Sequence, residues 1–235
     1  MLKITPIPAL SDNYIWLLEK DQEALVIDPG QAQPVRDFLA KKGLKLTACL
    51  LTHNHDDHTA GVQTLLEEYP HLPVFGPAET AAFANQIVEP QECFERWGLT
   101  FEVLASGGHT AGHISYLLDK TYLFCGDALF SGGCGRVFTG DYKAQFEALE
   151  RFKQLPDWVQ VFPAHEYTQS NLKFAQAVLP PSCTLAEYQE QVDIWRAQGR
   201  PSLPTTIGLE KQINPFLRAE NLADFIRLRQ QKDNF

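Results

Sequence analysis

The segment Thr52-His53-Asn54-His55-Asp56-Asp57-His58 places three imidazoles within six residues, with acids between them, directly behind the apolar run Ala48-Cys49-Leu50-Leu51. On an α-helix, where each residue advances about 100°, His53 and His55 would stand roughly 200° apart and could not share an ion; in an extended chain, positions two apart point the same way. The segment therefore belongs at a strand end or in a loop, and the short apolar run before it has the form of a buried strand. A single loop histidine would be read as merely solvated. Histidines and acids crowded at one point do nothing for a core, and a bound cation accounts for them.

Three further stretches end in the same way. His109 lies in Gly107-Gly108-His109-Thr110-Ala111-Gly112-His113 behind Phe101-Glu102-Val103-Leu104, Asp127 closes Tyr122-Leu123-Phe124-Cys125-Gly126-Asp127, and His165 closes Val159-Gln160-Val161-Phe162-Pro163-Ala164-His165. Strands that each end in a potential ligand form a scaffold presenting its chemistry at loop tips. His113 leads into Ile114-Ser115-Tyr116-Leu117-Leu118 and is read as a supporting histidine rather than a ligand, and His71, in Tyr69-Pro70-His71-Leu72-Pro73, as a surface loop residue.

Apolar runs at 15–18 and 24–27 interleave with helical stretches near 34–42, 61–68 and 143–155. After His165 the pattern turns helical: Leu185, Tyr188, Val192 and Trp195 recur at helical spacing, as do Leu222, Phe225 and Ile226, with Pro180-Pro181 and Pro201-Ser202-Leu203-Pro204 as punctuation. Periodicity alone gives mixed α and β, and 235 residues at 44% hydrophobic content suit one large domain with a smaller helical appendage. No run approaches membrane-spanning length, and Pro6 and Pro8 interrupt the start where a secretory signal needs a continuous apolar stretch, so a cytoplasmic location is expected. The five cysteines form no Cys-x-x-Cys pair and read as reduced residues.

Thr-His-x-His-x-Asp-His at 52–58, Gly-His-Thr-x-Gly-His at 108–113, Gly126-Asp127 and the late His165 together resemble the metallo-β-lactamase superfamily. Ser131-Gly132-Gly133-Cys134-Gly135-Arg136, Ala164-His165-Glu166-Tyr167-Thr168, Asn171-Leu172-Lys173-Phe174-Ala175 and Arg229-Gln230-Gln231-Lys232-Asp233-Asn234-Phe235 narrow the resemblance to its glyoxalase II, or hydroxyacylglutathione hydrolase, branch. The similarity runs essentially end to end. It implies a four-layer αββα sandwich over residues 1–166 and a small C-terminal helical, substrate-binding domain over 167–235.

The resemblance also implies two divalent ions. His53, His55 and His109 would hold one, Asp57, His58 and His165 the other, and Asp127 would bridge them across the roughly 3.5–4 Å of a two-metal site. Zinc is the default, and iron or manganese suits the same nitrogen and oxygen donors. Asp57 and Asp127 are the implied catalytic carboxylates. The implied substrate is an S-(2-hydroxyacyl)glutathione such as S-lactoylglutathione: a hydroxide shared by the two cations attacks the thioester carbonyl, and a thiolate with a pKa near about 8.5 departs without an obligatory acid.

Arg136, Phe138, Tyr167, Arg229 and Lys232 are the implied substrate-binding set. Phe138 stands where some relatives carry a tyrosine, and so offers a ring without a hydroxyl. Against a net charge of −9, an anionic thioester needs a local cationic patch, and Arg229 and Lys232, three apart, would share one helix face. A monomer with no nucleic-acid or membrane partner is expected.

Rival classes are separable. A lactam hydrolase shares the first motif but not the later blocks. A nuclease of the same superfamily calls for a basic surface, against a pI of about 5.2. A persulfide dioxygenase would carry a single iron, a flavodiiron oxidoreductase a glutamate at position 55, and a non-catalytic scaffold would not need all seven ligands intact.

Overall fold

A computed structural model describes all 235 residues, which divide into two compact units: residues 1–105 with 112–119, and residues 106–111 with 120–235. In the first unit, β1 (Lys3–Ala9), β2 (Asn13–Lys20) and β3 (Glu23–Ile27) form an antiparallel meander. The chain then crosses through α1 (Ala32–Lys42) to β4 (Lys45–Leu50), which lies parallel to β3. A short α2 (Asp56–Thr59) and α3 (Val62–Glu68) return it to β5 (Val74–Gly76), and β6 (Gln86–Ile87) completes a six-stranded sheet in the order β1-β2-β3-β4-β5-β6. Parallel pairs require such crossovers. The consequence for function is that β3 and β4 end side by side.

Leu17, Val26, Val35, Leu39, Cys49 and Leu65 lie in one buried cluster beneath this sheet. Truncating a leucine there to alanine would cost about 2–5 kcal/mol, so the strand ends stand on a stiff base. β7 (Cys93–Arg96), β8 (Leu99–Ala105) and β9 (Ile114–Leu118) make a second antiparallel meander. Two hydrogen bonds tie β9 to the chain leaving β4: Ile114 N–H to Thr52 O at 2.9 Å and Tyr116 Oη to Leu51 O at 2.8 Å.

In the second unit, β10 (Tyr122–Gly126) is followed by a small hairpin of β11 (Leu129–Phe130) and β12 (Gly133–Cys134), then by α4 (Tyr142–Lys153) and by β13 (Gln160–Pro163), parallel to β10. The remainder is mostly helical: α5 (Thr168–Val178), α6 (Cys183–Ala197), the two-residue β14 (Thr205–Thr206) antiparallel to β13, α7 (Ile207–Ile213) and α8 (Leu222–Asp233). Asp141 caps α4 by accepting from Ala144 N–H, and Asn221 caps α8 by accepting from Asp224 N–H; such caps stabilise a helix by about 1 kcal/mol. Leu185 and Val192, read as helical from their spacing, are buried with Leu172, Ala175 and Ile213, and Tyr188 and Trp195 pack against them. No helix is long and apolar enough to cross a membrane.

Candidate metal centre

In the first unit, His53 and His58 are fully buried with ring centroids 4.1 Å apart, and the His55 ring is 4.7 Å from that of His53. His53 and His55 lie in non-helical chain, as expected. Asp57 and His58 do not: they sit on the single turn of α2, where the spacing predicts a strand end or loop. Acids in a first turn complement the positive end of the helix, and the N–H groups of His58 and Thr59 both return to the His55 carbonyl, at 3.0 and 3.1 Å. The turn brings Asp57 Oδ2 to 3.5 Å from His58 Nε2. His113 stacks on His53 at 4.7 Å from buried chain, and His71 is exposed.

A residue that the sequence reading passed over organises this half. Asp28 is buried, and the parallel pairing of β3 with β4 sets it beside Thr52. Its Oδ1 accepts the Thr52 N–H at 2.8 Å, and its Oδ2 accepts the Thr52 hydroxyl at 2.7 Å and Nδ1–H of His58 at 3.1 Å. With its own proton given to Asp28, Thr52 Oγ1 accepts from Nδ1–H of His53 at 3.0 Å. One carboxylate thus sets the tautomer of two histidines and leaves each Nε2 presenting a lone pair. Asn13, also missed, donates from Nδ2 to Asp57 Oδ2 at 3.0 Å. Gly30 makes the close approach possible, since a Cβ there would stand 1.8 Å from the Asp57 carbonyl oxygen. The signal was present: Ala24-Leu25-Val26-Ile27-Asp28 has the same run-then-acid form as the stretch ending in Asp127.

In the second unit the structure brings His109, Asp127 and His165 together. His109 Nε2 lies 3.3 Å from Asp127 Oδ2, and His165 Nε2 lies 3.3 Å from Asp127 Oδ1. The Arg136 carbonyl can only accept, so His109 Nδ1 carries the proton of their 2.8 Å hydrogen bond, and in the neutral ring Nε2 turns a lone pair towards a carboxylate oxygen. Such an opposition is repulsive unless a proton or a metal ion lies between, and it recurs between His58 and Asp57. Two ligand atoms each about 2.1 Å from a tetrahedral ion stand roughly 3.4 Å apart, which matches all three spacings. Imidazole nitrogens and carboxylate oxygens, with the far nitrogens of His53, His58 and His109 already hydrogen-bonded, are a donor set that fits divalent ions of borderline hardness. Asp127 directs one oxygen to each of two histidines. Gly135 keeps the backbone close, because a Cβ there would meet the Asp127 carbonyl oxygen at 2.0 Å.

The candidate substrate-binding residues are placed unequally. Phe138 is 64% exposed with its ring edge-on to His109 at 5.3 Å, and Tyr167 stacks flat on His165 at 4.7 Å. Arg136 reaches solvent, holds Asp233 Oδ1 from Nε at 3.2 Å and lies over the Phe138 ring. Arg229 is buried: Nη1 donates to Cys134 O at 2.7 Å, Nη2 pairs with Asp233 at 3.0 Å, and the guanidinium covers Phe216. The face expected to carry Arg229 and Lys232 together is therefore divided, because Phe225, Leu228 and Arg229 form the buried stripe of α8 and Lys232 lies at its edge. Lys232 Nζ donates to Ser170 O at 3.2 Å and sits over the rings of Phe174 and Phe235. Burial, and then repulsion from Arg229, hold the Lys232 pKa below its ordinary value. Burial pushes the Cys134 thiol up to about 11 in spite of Arg229.

Residues 10–165 match the metallo-beta-lactamase superfamily, and residues 166–235 match the hydroxyacylglutathione hydrolase C-terminus. The hydroxyacylglutathione hydrolase of Glaesserella parasuis serovar 5 (strain SH0165) is 63% identical over 235 residues, covering 100% of both chains. Among solved structures, ETHE1 from Myxococcus xanthus is similar with a TM-score of 0.74 and 28% identity, over 98% of this chain and 90% of that one. TTHA1623 in a di-iron-bound form is similar with a TM-score of 0.63 and 27% identity, over 90% of this chain and 99% of that one. The fold class implied by the sequence motifs, a metallo-β-lactamase αββα sandwich followed by a helical C-terminal region, is the one these likenesses bear out. The chain belongs to the metallo-beta-lactamase superfamily and, within it, to the hydroxyacylglutathione hydrolases.

Proposed function

We propose that the chain is a metal-dependent thioester hydrolase that converts S-(2-hydroxyacyl)glutathione, such as S-lactoylglutathione, to glutathione and a 2-hydroxy acid. The observation that carries this is Asp127, turned by one oxygen to each of two histidines, in a chain that matches hydroxyacylglutathione hydrolases from end to end. His53, His55 and His109 would hold one divalent ion, Asp57, His58 and His165 a second, and Asp127 would serve both; the di-iron form of TTHA1623 supports a count of two. Zinc is the first candidate, with iron and manganese suited to the same donors. When bound, such ions acidify a water towards a pKa of about 7 and polarise a carbonyl.

The chain's own residues do the rest. Asp57, fixed through Asn13, and Asp127 are the catalytic carboxylates, presenting acceptor oxygens that orient the attacking water. Asp28 and Thr52 keep His53 and His58 in the ligating tautomer. No residue need protonate the leaving group, because a thiol of pKa near about 8.5 departs as thiolate. Residues 167–235 form the substrate-binding domain. Arg136 and Lys232 meet the glutathione carboxylates, Phe138 and Tyr167 flank the acyl end, and Arg229 acts from beneath through Cys134 and Asp233. The enzyme works as a monomer, and in the cytoplasm, a location that its five free cysteines support.

The test is hydrolysis of S-lactoylglutathione beside a small thioester lacking the glutamyl and glycyl carboxylates, each with and without a chelator. The glutathione thioester should be turned over far faster, and only in the absence of the chelator. Equal rates on the two substrates would overturn the substrate assignment, and full activity under chelation would overturn the metal assignment.

A further inference from the structure

The hairpin of β11 and β12 lies between Asp127 and Arg136 in the chain and packs against His165, Tyr167 and Arg229. Asp127 lies two residues before it. The Arg136 carbonyl, two residues beyond it, holds His109 at 2.8 Å. The Phe130 ring packs edge-on against His165 at 5.8 Å and Tyr167 at 5.1 Å, and the Cys134 carbonyl accepts from Arg229. Two strands of two residues each cannot hold themselves in place, so something else must fix this platform.

Glu210, on α7 and fully buried, does so. Its Oε1 accepts the Ser131 hydroxyl at 2.8 Å and the Thr205 hydroxyl at 2.7 Å, and its Oε2 accepts the Gly132 N–H at 2.8 Å and Asn214 Nδ2 at 3.0 Å. Ser131 and Gly132 are the turn of the hairpin. Asn214 Nδ2 also reaches Phe130 O and Gly133 O, and Asn171 Nδ2 donates to Ser131 O. Burying a carboxylate is costly unless it is fully hydrogen-bonded, and an apolar residue would pack α7 more simply. A buried acid spent on one turn points to a need for exact register there.

We propose that Glu210 is a positioning residue: by clamping the Ser131-Gly132 turn it sets the hairpin that orients His109 and supports His165, and so governs metal affinity and turnover. The inference rests on the reading of His109, Asp127 and His165 as metal ligands. Glu210→Gln keeps the shape but leaves one accepting oxygen where the carboxylate offers two: with that oxygen on the Gly132 N–H and Asn214, the amide NH2 faces the Ser131 and Thr205 hydroxyls, which must turn from donating to accepting, and the charge that strengthens the clamp is gone. Losses of about 10- to 100-fold in metal affinity are usual when a group supporting a ligand is changed.

The experiment measures metal affinity by competition with a chelating dye, together with kcat, KM and Tm, for the wild-type holoenzyme, Glu210→Gln, Ser131→Ala and Val192→Ala. The last removes buried volume from the neighbouring helical core and controls for loss of stability alone. Glu210→Gln is expected to weaken metal binding about 10- to 100-fold and to lower kcat more than it raises KM, while Val192→Ala lowers Tm without either change. If Glu210→Gln does not fold, Ser131→Ala carries the test, with a loss of affinity of at least about threefold expected. Wild-type metal affinity and kcat in Glu210→Gln, or in Ser131→Ala where it alone folds, would overturn the proposal, as would equal losses in Val192→Ala. A wild type that binds no metal would instead overturn the reading of the ligands on which the proposal stands.

Discussion

At the scale of single residues, the ligands announce themselves and their supports do not. His53, His55, Asp57 and His58 are legible because their spacing is local and makes no sense for a core. Asp28 is hidden because its role comes from the pairing of β3 with β4, which sets it against a residue 24 positions away. Asp28→Asn tests that role directly. An amide can present only one acceptor oxygen, so Thr52 and His58 cannot both be held as they are, and metal affinity should fall by about 10- to 100-fold with the fold retained. A variant that binds metal as tightly as wild type in a dye competition would remove Asp28 from the account.

At the scale of elements, α8 shows what periodicity reads and what it leaves open. The spacing of Leu222, Phe225 and Ile226 identifies the helix and its apolar side, but whether a basic residue at the stripe's edge lies inside or outside depends on what packs there. Cys134 O, Asp233 and Phe216 draw Arg229 inward, and Lys232 remains half-buried beside Phe174 and Phe235. Arg229→Ala should therefore destabilise the fold as well as weaken substrate binding. The loss of charge-assisted hydrogen bonds costs about 1.5–3 kcal/mol, a fall in Tm of roughly 3–12 °C for a chain of this size. Lys232→Ala should raise KM with little change in Tm. Thermal melts and steady-state kinetics on both variants check this, and an unchanged Tm in Arg229→Ala would show that its buried contacts contribute nothing. The one-turn α2 is the opposite case, a helix too short for any periodicity to reveal.

At the scale of the molecule, the alternation of apolar runs and helical stretches gave mixed α and β with a helical end, while the layer architecture came only through family motifs, because strand order depends on non-local pairing. Stability against pH is a property of the same scale, and burial raises the Glu210 carboxyl pKa. The native chain then keeps that proton to higher pH than the unfolded chain, which releases it near about 4.3. Stability from this group is full below the unfolded value and is lost as pH rises through the native one. Urea unfolding of wild type and Glu210→Gln across mildly acidic pH should show the wild type losing ground to the variant as pH rises; a constant difference would mean that Glu210 does not titrate there.

The proposed function stands or falls on whether His53, His55, Asp57, His58, His109, Asp127 and His165 serve two ions. The deciding measurement is a titration of metal-free protein with zinc that follows both bound metal and S-lactoylglutathione hydrolysis. Hydrolysis should climb to a plateau at two ions per chain, and Asp127→Ala should reach neither the plateau nor the stoichiometry. A plateau of full activity at one ion per chain, or an Asp127→Ala variant that binds two ions and works at the wild-type rate, would contradict the proposed function.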